Sequence, residues 1–347
     1  MLILFLAWLA FLLTLINVLT VRMIKNLPAQ ISDSVDLLIP MRNESRNVKD
    51  VLDSVMKSKG LLNFNIYALD DNSFDDTGEL ISKFPVHKLS GRTLPEGWLG
   101  KNFACQQLSL AGDGQYLVFL DADVRITENA VSSSIKKMQD LNWDFISPYP
   151  RQLSGSFIEN LIQPLLQWSW LASVPLRLAE HFPNRSMTIA NGQFFIVKRS
   201  AYESIGRHET IKSQVLDDLE LARALIAKGF KGAVADGSKV AKCRMYQNGS
   251  ELVSGYTKSL WKAFGGVLGT FTAVGLLVGT GVLPLLAFNS AYLLIVFSRV
   301  IVALKVKSNP IYALLHPLSI LLLCYLLALS IVKKRRGTLQ WRGRRVN

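Results

Sequence analysis

Hydrophobic and polar positions divide this chain into three zones. The first zone, residues 1–21, contains no charged residue, and the last, residues 264–332, is mostly apolar with a polar break at 305–310. About twenty apolar residues in a helix cross ~30 Å of hydrocarbon. Between these zones, short apolar runs alternate with polar ones, as they do in globular domains. The pattern predicts a globular domain carried between membrane-spanning helices.

The first apolar zone is predicted to be an uncleaved membrane anchor. Its basic residues, Arg22 and Lys25, follow the apolar core, whereas a cleaved signal peptide has a basic start, a shorter core and a small-residue cleavage site. Basic residues beside a membrane helix favour the cytoplasmic side. We therefore expect residues 1–22 to form a transmembrane helix and the next domain to lie in the cytoplasm.

The second apolar zone has room for two or three helices. Residues 311–332 predict one span, whereas 264–304 is too long for one and has room for two. The basic tail that follows, residues 333–347, is expected to be cytoplasmic. An even number of spans keeps the tail on the same side as the central domain. We therefore expect the glycine-rich stretch 265–281 to lie at the membrane interface or to re-enter the membrane without crossing it, followed by one span from about 282 to 304.

The central domain begins with alternating strand-like and helix-like runs. Residues 35–40 and 65–69 are typical of strands, and 48–55 places apolar residues at helical spacing. Residues 116–120 form a further apolar run with no helical period. Strand, helix, strand at this spacing is a βαβ unit, so the pattern predicts a parallel sheet. Ligands of such α/β sheets bind beyond the carboxyl ends of the strands.

Composition and charge narrow the choice of partner. Half of the 347 residues are hydrophobic, more than an ordinary soluble domain carries. The net charge of +13 is concentrated in the tail, where seven of the last fifteen residues are basic and none is acidic. We expect this tail to contact anionic lipid headgroups and not nucleic acid. The three widely spaced cysteines indicate neither a zinc site nor a disulfide, which fits a reducing cytoplasm.

An acidic pair follows the buried run 116–120. Asp121 and Asp123 are one residue apart, where a loop at the end of a strand presents both carboxylates. Hard oxygen ligands of this kind suit Mg²⁺ or Mn²⁺ bound to the oxygens of a diphosphate. The alternative is an acidic turn that caps the next helix. The pair taken alone does not decide between them.

Several segments together resemble the opening signatures of the family 2 glycosyltransferases, in order and spacing, over residues 33–262. The matching segments are Pro40-Met41-Arg42-Asn43-Glu44, Asp70-Asp71-Asn72-Ser73, Gly97-Trp98-Leu99-Gly100-Lys101-Asn102, Asp121-Ala122-Asp123, Asn191-Gly192-Gln193-Phe194-Phe195 and Asp217-Asp218-Leu219-Glu220-Leu221-Ala222. The resemblance implies a GT-A nucleotide-sugar-binding domain, with a mixed, mainly parallel sheet and flanking helices.

Within that family, the chain is most similar to the membrane-bound branch that glycosylates lipids. This branch includes the bacterial diaponeurosporenoate (carotenoid-acid) glycosyltransferases and the ceramide glucosyltransferases, and the similarity lies in residues 97–102 and in Trp341-Arg342-Gly343-Arg344. The implied organisation is a transmembrane helix at 1–22, the transferase domain at 33–262, transmembrane or interfacial helices at 264–332 and the basic tail at 333–347.

The resemblance also implies a nucleotide-sugar site. Asp71 matches the position that binds the uracil ring, although an Asp here can instead form an Asx turn. Asp123 is the expected metal ligand, and Asp121 is expected to reach the ribose or share the metal through water. Lys101 is expected to steady a phosphate or hold a carboxylate. The remaining expected donor contacts are Pro40, Arg42, Glu44, Gln193 and, as the nearest counterpart of the Q-x-x-R-W element, Lys258 and Trp261.

The expected catalytic residues are Asp218 and Asp217. The family's usual Glu-Asp pair is Asp-Asp here, which leaves Asp218 as the expected general base, its pKa raised by a desolvated site beside another carboxylate. The alternative is helix N-terminal charge, because a helix is predicted to begin at or just before the pair. Direct displacement with one base inverts the anomeric carbon.

Two further features leave alternatives open. His208 follows Arg207 in a predicted loop, where it either contacts acceptor or phosphate or has a structural role. The segment 155–182 carries apolar residues and two tryptophans, interrupted by Pro164. It suits either the membrane interface or an ordinary pair of core helices.

The expected function is that of a multi-pass membrane enzyme with a cytoplasmic catalytic domain. It would transfer a hexose, glucose, from a UDP-sugar to a lipid such as a carotenoid acid, sphingolipid or glycerolipid. A polyprenyl-phosphate glycosyltransferase is the alternative within the class. A nucleotidyltransferase would carry a Gly-rich basic phosphate loop near the first strand, and a non-catalytic scaffold would lack some of the four site carboxylates, Asp71, Asp121, Asp123 and Asp218, which are all there.

Overall fold

The structure is a computed structural model that describes residues 1–265, 267–286, 290–341 and 344–345. Part of the predicted basic tail, Arg342, Gly343 and the last two residues, therefore lies outside the described residues, as do the side chains of Trp341, Arg344 and Arg345.

The elements are numbered in chain order. The strands are β1 (Ile31–Met41), β2 (Leu61–Asp70), β3 (His87–Ser90), β4 (Tyr116–Leu120), β5 (Val124–Ile126), β6 (Phe145–Tyr149), β7 (Arg151–Gln152), β8 (Phe194–Lys198), β9 (Gly232–Asp236), β10 (Ala241–Cys243), β11 (Gln340–Trp341) and β12 (Arg344–Arg345). The α-helices are α1 (Leu2–Thr20), α2 (Ser45–Val55), α3 (Thr77–Ile81), α4 (Gly100–Ser109), α5 (Ala130–Leu141), α6 (Phe157–Ser173), α7 (Leu176–His181), α8 (Arg199–Ser204), α9 (Asp217–Ala227), α10 (Gly249–Thr257), α11 (Leu260–Ala263), α12 (Val267–Gly281), α13 (Leu283–Leu286), α14 (Ala291–Val306) and α15 (His316–Arg335). Three short 3-10 helices are Arg185–Met187, Arg207–Ile211 and Pro310–Ala313.

The chain divides into two compact units. The sheet unit comprises Arg22–Arg151 and Glu180–Met245. The helical unit comprises Met1–Val21, Gln152–Ala179 and Tyr246–Asn347.

The sheet unit is built on a seven-stranded sheet in the order β3-β2-β1-β4-β8-β6-β9. β1 pairs in parallel with β2 and β4, β2 with β3, and β6 with β9, whereas β8 is antiparallel to both β4 and β6. The predicted βαβ unit is confirmed as β1-α2-β2. The sheet is therefore mixed and mainly parallel, as expected for the fold class.

Alternating side chains of β1 and β4 explain why both faces of the sheet are covered. Leu37 and Val118 belong to one core cluster, whereas Leu38 and Phe119 belong to the other. The first cluster includes the apolar face of α2, and the second includes residues of α4 and α9. Strands buried on both faces lose the polar alternation of a surface sheet, which is why these runs are continuously apolar.

Among its described residues, the helical unit contains three helices that are long and apolar enough to cross a membrane. They span Leu2–Thr20, Leu268–Leu286 and His316–Arg335. The first and third confirm the expected transmembrane helices at both ends of the chain. The cysteines Cys105, Cys243 and Cys324 are free thiols, as expected.

The predicted span from about 282 to 304 is wrong. The apolar helix in this region runs over Leu268–Leu286, so the glycine-rich stretch belongs to a helix of span length. A separate helix, α14, begins only at Ala291, after the polar residues Asn289 and Ser290. Glycine lowers helix propensity without removing backbone hydrogen bonds, so the stretch continues as a helix.

The segment 155–182 forms a helix that is largely buried within the helical unit. The buried residues of α6 include Leu161, Ile162, Leu165 and Trp168, and Pro164 is accommodated inside it. Ser156 caps its first turn by accepting from the backbone N–H of Glu159 at 3.3 Å. The burial of one continuous face favours the core-helix alternative for α6.

Candidate active site

The predicted site residues gather at one edge of the seven-stranded sheet. Met41 and Asp121 lie at the ends of parallel strands, and the backbone N–H of Asp71 donates to the carbonyl of Met41 at 2.8 Å. β8 runs in the opposite direction, so the residues that precede it reach the same edge. The backbone N–H of Asp121 donates to the carbonyl of Gln193 at 3.0 Å.

Arg42 ties together the loops that follow β1 and β2. Its Nη1 donates to the carbonyl oxygens of Asp71 and Asn72, the second at 2.8 Å. Its guanidinium also lies 5.2 Å from the centre of the Phe74 ring, which is 85% exposed. The turn hydrogen bond in this loop is made by Asp70, whose Oδ1 accepts from the backbone N–H of Ser73 at 3.0 Å.

Pro40 and Glu44 lie on either side of Arg42 in the sequence. Pro40 lines a small cavity together with Lys101 and Asp121. Glu44 precedes α2, and its Oε2 accepts a hydrogen bond from Asn47 Nδ2 at 2.7 Å. The charge of Glu44 also acts on the acidic pair described below.

Lys101 joins two carboxylates that are far apart in sequence. Its Nζ lies 2.9 Å from Asp121 Oδ1, 3.1 Å from Asp121 Oδ2 and 3.3 Å from Asp217 Oδ2. Burial lowers the pKa of Lys101, but the charges of Asp121 and Asp217 together raise it well above its usual value. Lys101 therefore stays charged. It belongs to the first turn of α4, and from there its side chain reaches both carboxylates.

Asp123 has the properties expected of a cation ligand. Its Oδ1 is buried and has no hydrogen-bond partner among the residues that the structure describes. Burial, followed by the charges of Asp121 and Glu44, raises the pKa of Asp123 to about 7. A divalent cation beside the carboxylate would favour its charged form again.

The acidic pair fits a hard divalent cation held jointly with a substrate. No group of three or more His, Cys, Asp and Glu side chains suited to a metal occurs in the described part of the chain. Mg²⁺ is commonly held by one or two carboxylates plus substrate phosphates, so a full protein cage is not required. Burial and the charges of Asp123 and Asp121 raise the pKa of the nearby Cys243 thiol well above its usual value.

Asp218 is held at the start of α9 by two backbone N–H groups. Gly192 donates to its Oδ2 at 2.6 Å, and Leu219 donates to its Oδ1 at 2.8 Å. Burial and the charge of Asp217 raise the pKa of Asp218 to about 6, against the opposing effect of Lys101. A carboxylate with this pKa is mostly charged at neutral pH and still able to accept a proton.

His208 has a structural partner. It is 3% exposed, and its Nδ1 lies 2.6 Å from the hydroxyl of Tyr202. Burial lowers the pKa of His208 to about 4, so the imidazole is neutral at ordinary pH. It also lines the cavity that contains Lys101, Asp217 and Asp218. The contact of Nδ1 with Tyr202 fits the structural alternative. The position of the ring at the cavity keeps the contact with acceptor or phosphate open as a prediction.

Lys258 and Trp261 belong to the helical unit. Lys258 ends α10, and its carbonyl accepts from Trp261 Nε1 at 3.1 Å. The backbone N–H of Trp261 donates to Ser330 Oγ at 3.0 Å, and Lys334 Nζ lies 4.7 Å from the centre of the indole ring. Their contribution to a nucleotide-sugar site stays a prediction.

Two residues beside the carboxylates had no role in the sequence analysis. Gly192 supports Asp218, and a Cβ added at this position would lie 2.9 Å from Asp218 Cβ. The sequence signal for this role was the place of Gly192 in the Asn191–Phe195 motif, because glycine is common where the backbone must come close to another group. Cys243 ends β10 beside Asp123, and nothing in the sequence pattern connects the two.

A comparison with protein families covers part of this site. Residues 36–206 match the family described as Glycosyl transferase family 2. The segment begins within β1, continues through β8 and includes the residues Arg42, Asp71, Lys101, Asp121 and Asp123. The match supports the family 2 glycosyltransferase domain that the sequence motifs predicted.

Relatives from two staphylococcal species carry the same name. The chain is 22% identical over 249 residues to the 4,4'-diaponeurosporenoate glycosyltransferase of Staphylococcus haemolyticus, a match that covers 68% of this chain and 63% of that protein. It is 23% identical over 238 residues to the Staphylococcus aureus protein of that name, covering 67% of this chain and 62% of that protein. The matches thus span less than two thirds of the relatives' own length.

A solved structure shares the fold over almost the whole chain. It is a mannosyltransferase from Pyrobaculum calidifontis in complex with GDP-Man and Mn²⁺. The TM-score is 0.54 at 15% identity, and the match covers 95% of this chain and 99% of that one. This likeness confirms the predicted GT-A fold.

Proposed function

We propose that this protein is an inverting glycosyltransferase that moves a hexose, glucose, from a UDP-sugar to a membrane lipid. The observation that carries the proposal is the arrangement of Asp218 beside Asp217, with Lys101 linking Asp217 to the acidic pair. Lys101, Asp121, Asp217 and Asp218 line one small cavity, to which we assign a proton acceptor and part of a diphosphate site. Sugar transfer from a nucleoside diphosphate needs both.

The nucleotide-sugar donor would lie along the carboxyl edge of the sheet. Asp71 would accept a hydrogen bond from the uracil ring, held in place because Arg42 donates to its carbonyl oxygen. Asp121 would reach the ribose, and Gln193 would line the sugar pocket. Lys101 would steady the phosphates while it remains paired with Asp121.

Asp123 would hold the Mg²⁺ or Mn²⁺ cofactor, with Asp121 sharing it through water. When bound, the cation would neutralise charge on the departing diphosphate. The residues of this chain prepare the site for it, because Asp123 Oδ1 is buried without a hydrogen-bond partner among the described residues.

Asp218 would act as the general base. It would take the proton from the acceptor hydroxyl as the acceptor oxygen bonds to the anomeric carbon and the bond to the diphosphate oxygen breaks. A carboxylate acceptor would need no proton removal, and Asp218 would then orient it. Asp217, paired with Lys101, contributes to the raised pKa of Asp218. Displacement from one side turns an α-linked donor into a β-glycoside.

The acceptor would be a lipid reached from the cytoplasmic leaflet. Three helices of span length support a multi-pass membrane protein, and the names of the staphylococcal relatives support a carotenoid acid as acceptor. Sphingolipid and glycerolipid acceptors would reach the active site from the same leaflet. The basic tail at 333–347 would attract anionic headgroups, each charge contributing about 1 kcal/mol near the membrane.

A donor and acceptor panel tests this function. The purified full chain is incubated with UDP-glucose, other UDP-hexoses or GDP-mannose, together with native lipid extract, and the products are identified by mass spectrometry. We expect a hexosylated lipid from a UDP-sugar. Transfer only from GDP-mannose would refute the proposal that the donor is a UDP-sugar. Transfer only to a polyprenyl phosphate would support the alternative acceptor.

A further inference from the structure

A buried arginine lies in the helical unit without a carboxylate partner. Arg299 is in the middle of α14 and is 3% exposed. Its neighbours in the helix, including Ile295, Val296 and Val302, are buried and apolar. No ion pair links Arg299 to an acidic side chain in the part of the chain that the structure describes. An uncompensated buried charge is costly, and inside membrane helices such residues mark functional sites.

The helical unit has few carboxylates that could balance this charge. Within its three sequence segments, the acidic side chains are Glu159 and Glu251. Both act at helix N-termini: Glu159 accepts from Gly155 N at 2.9 Å, and Glu251 accepts from Gln247 N at 3.0 Å. Neither glutamate forms an ion pair with Arg299 in the part of the chain that the structure describes.

The group that does contact Arg299 is an imidazole. Arg299 Nη1 lies 2.9 Å from His316 Nδ1, and His316 is 1% exposed. A guanidinium only donates hydrogen bonds, so Nδ1 must accept and the imidazole proton must lie on Nε2. His316 Nε2 is itself buried and has no partner among the described residues. The pair thus offers hydrogen-bond donors and no acceptor.

Other side chains hold this donor pair in place. The indole of Trp168 meets the His316 ring edge to face, with the centroids 5.3 Å apart, and Trp168 Nε1 donates to Ser298 Oγ at 2.8 Å. A Cβ added at Gly281 would lie 2.6 Å from His316 Nε2. Only a residue without a side chain therefore fits beside the Nε2 edge of the imidazole at position 281.

We propose that Arg299 and His316 form a binding site for the oxyanion of a membrane lipid, either a phosphate or a carboxylate headgroup. Guanidinium and imidazole N–H groups match the oxygens of such a group, and charge-assisted hydrogen bonds of this kind are strong. The site lies among helices of span length, so the ligand that reaches it carries acyl or isoprenoid chains. Arg299 and His316 belong to the helical unit, and the carboxylate cluster belongs to the sheet unit.

Native mass spectrometry of the detergent-purified full chain tests the site. The protein is titrated, without any sugar donor, with phosphatidylglycerol, oleate and diacylglycerol, each in the presence and absence of excess inorganic phosphate. The variants are Arg299→Gln and His316→Phe, which keeps an aromatic ring beside Trp168. Lys57→Gln, at an exposed position of the sheet unit, is the matched control for the loss of one positive charge.

The wild type should bind phosphatidylglycerol or oleate at least about tenfold more tightly than diacylglycerol, because diacylglycerol offers no oxyanion for a charge-assisted hydrogen bond. Both site variants should lose that preference, and Lys57→Gln should keep it. Preference for phosphatidylglycerol assigns the site to phosphate, and preference for oleate assigns it to carboxylate. Equal binding of all three lipids by the wild type would overturn the proposal, even if Arg299→Gln does not fold. Full displacement by inorganic phosphate would overturn the lipid assignment.

Discussion

The backbone N–H of Gly192 donates a 2.6 Å hydrogen bond to Asp218 Oδ2, and the two residues are close enough that a Cβ on Gly192 would lie 2.9 Å from Asp218 Cβ. The loop before β8 thereby sets the position of the carboxylate at the start of α9. The orientation of the proposed base depends on a residue that has no side chain.

Gly192→Ala should therefore lower turnover. The added methyl group displaces Asp218, and a misplacement of about 1 Å can cost roughly 10²-fold in rate. Steady-state transfer measures the effect, and circular dichroism checks folding. Gly275→Ala is the matched control, because no atom lies within 4 Å of a Cβ added there. Equal activity of both variants would mean that Gly192 does not position the base.

Asp218→Asn should cut turnover by roughly 10²-fold or more while nucleotide-sugar binding is kept, because a positioned general base supplies about that factor. Titration calorimetry with the donor separates binding from turnover. Asp217→Asn should keep more activity than Asp218→Asn. The reverse order would move the role of base to Asp217.

The pH dependence of kcat/KM should have an acid limb near pH 6, since the pKa of Asp218 is raised to about 6. Activity rises as the pH increases through this value, because the carboxylate must be deprotonated to accept a proton. Lys101 lowers the pKa of Asp218, so Lys101→Met should move the limb to higher pH. A limb that does not move in Lys101→Met would show that another group titrates.

Metal removal should abolish transfer, and Mn²⁺ or Mg²⁺ should restore it. Asp123→Asn should lose donor turnover while the protein still folds. Full activity after exhaustive dialysis against EDTA would contradict the proposed role of Asp123.

The same variant should change stability in the absence of metal. The pKa of Asp123 is raised to about 7 in the folded protein, against about 3.9 in an unfolded chain. The folded state thus binds more protons between these values, and its stability falls as the pH rises through them. In EDTA above pH 7, Asp123→Asn should have a higher midpoint of thermal unfolding than the wild type, and the difference should shrink towards pH 4. A lower midpoint in the variant would contradict this assignment.

Neutralising Arg335, Arg336, Arg344 and Arg345 should weaken transfer to membrane-embedded acceptor more than donor hydrolysis. The loss should be larger in anionic than in zwitterionic vesicles, since each charge contributes about 1 kcal/mol near the membrane and is screened by salt. Transfer and hydrolysis assays in both vesicle types measure it. Equal loss of both activities in both lipids would make the tail a folding or topology element.

The sequence by itself determined the features that depend on neighbouring residues. The apolar runs at 35–40 and 116–120 predicted strands of one sheet, because burial on both faces requires continuous apolar side chains. The Asp121-x-Asp123 pair predicted an acidic edge, because it directly follows one of these strands. The order of short motifs predicted the transferase family, and residues 36–206 match it.

Tertiary structure decided which distant residues meet. Lys101 links Asp121 to Asp217, Gly192 supports Asp218, and Arg299 pairs with His316. Each contact joins separate elements, and spacing along the chain carries no information about how those elements pack. The span predicted at 282–304 was wrong for a related reason: a long apolar stretch is compatible with several helix boundaries, and the choice depends on packing and on where the backbone hydrogen bonds are interrupted.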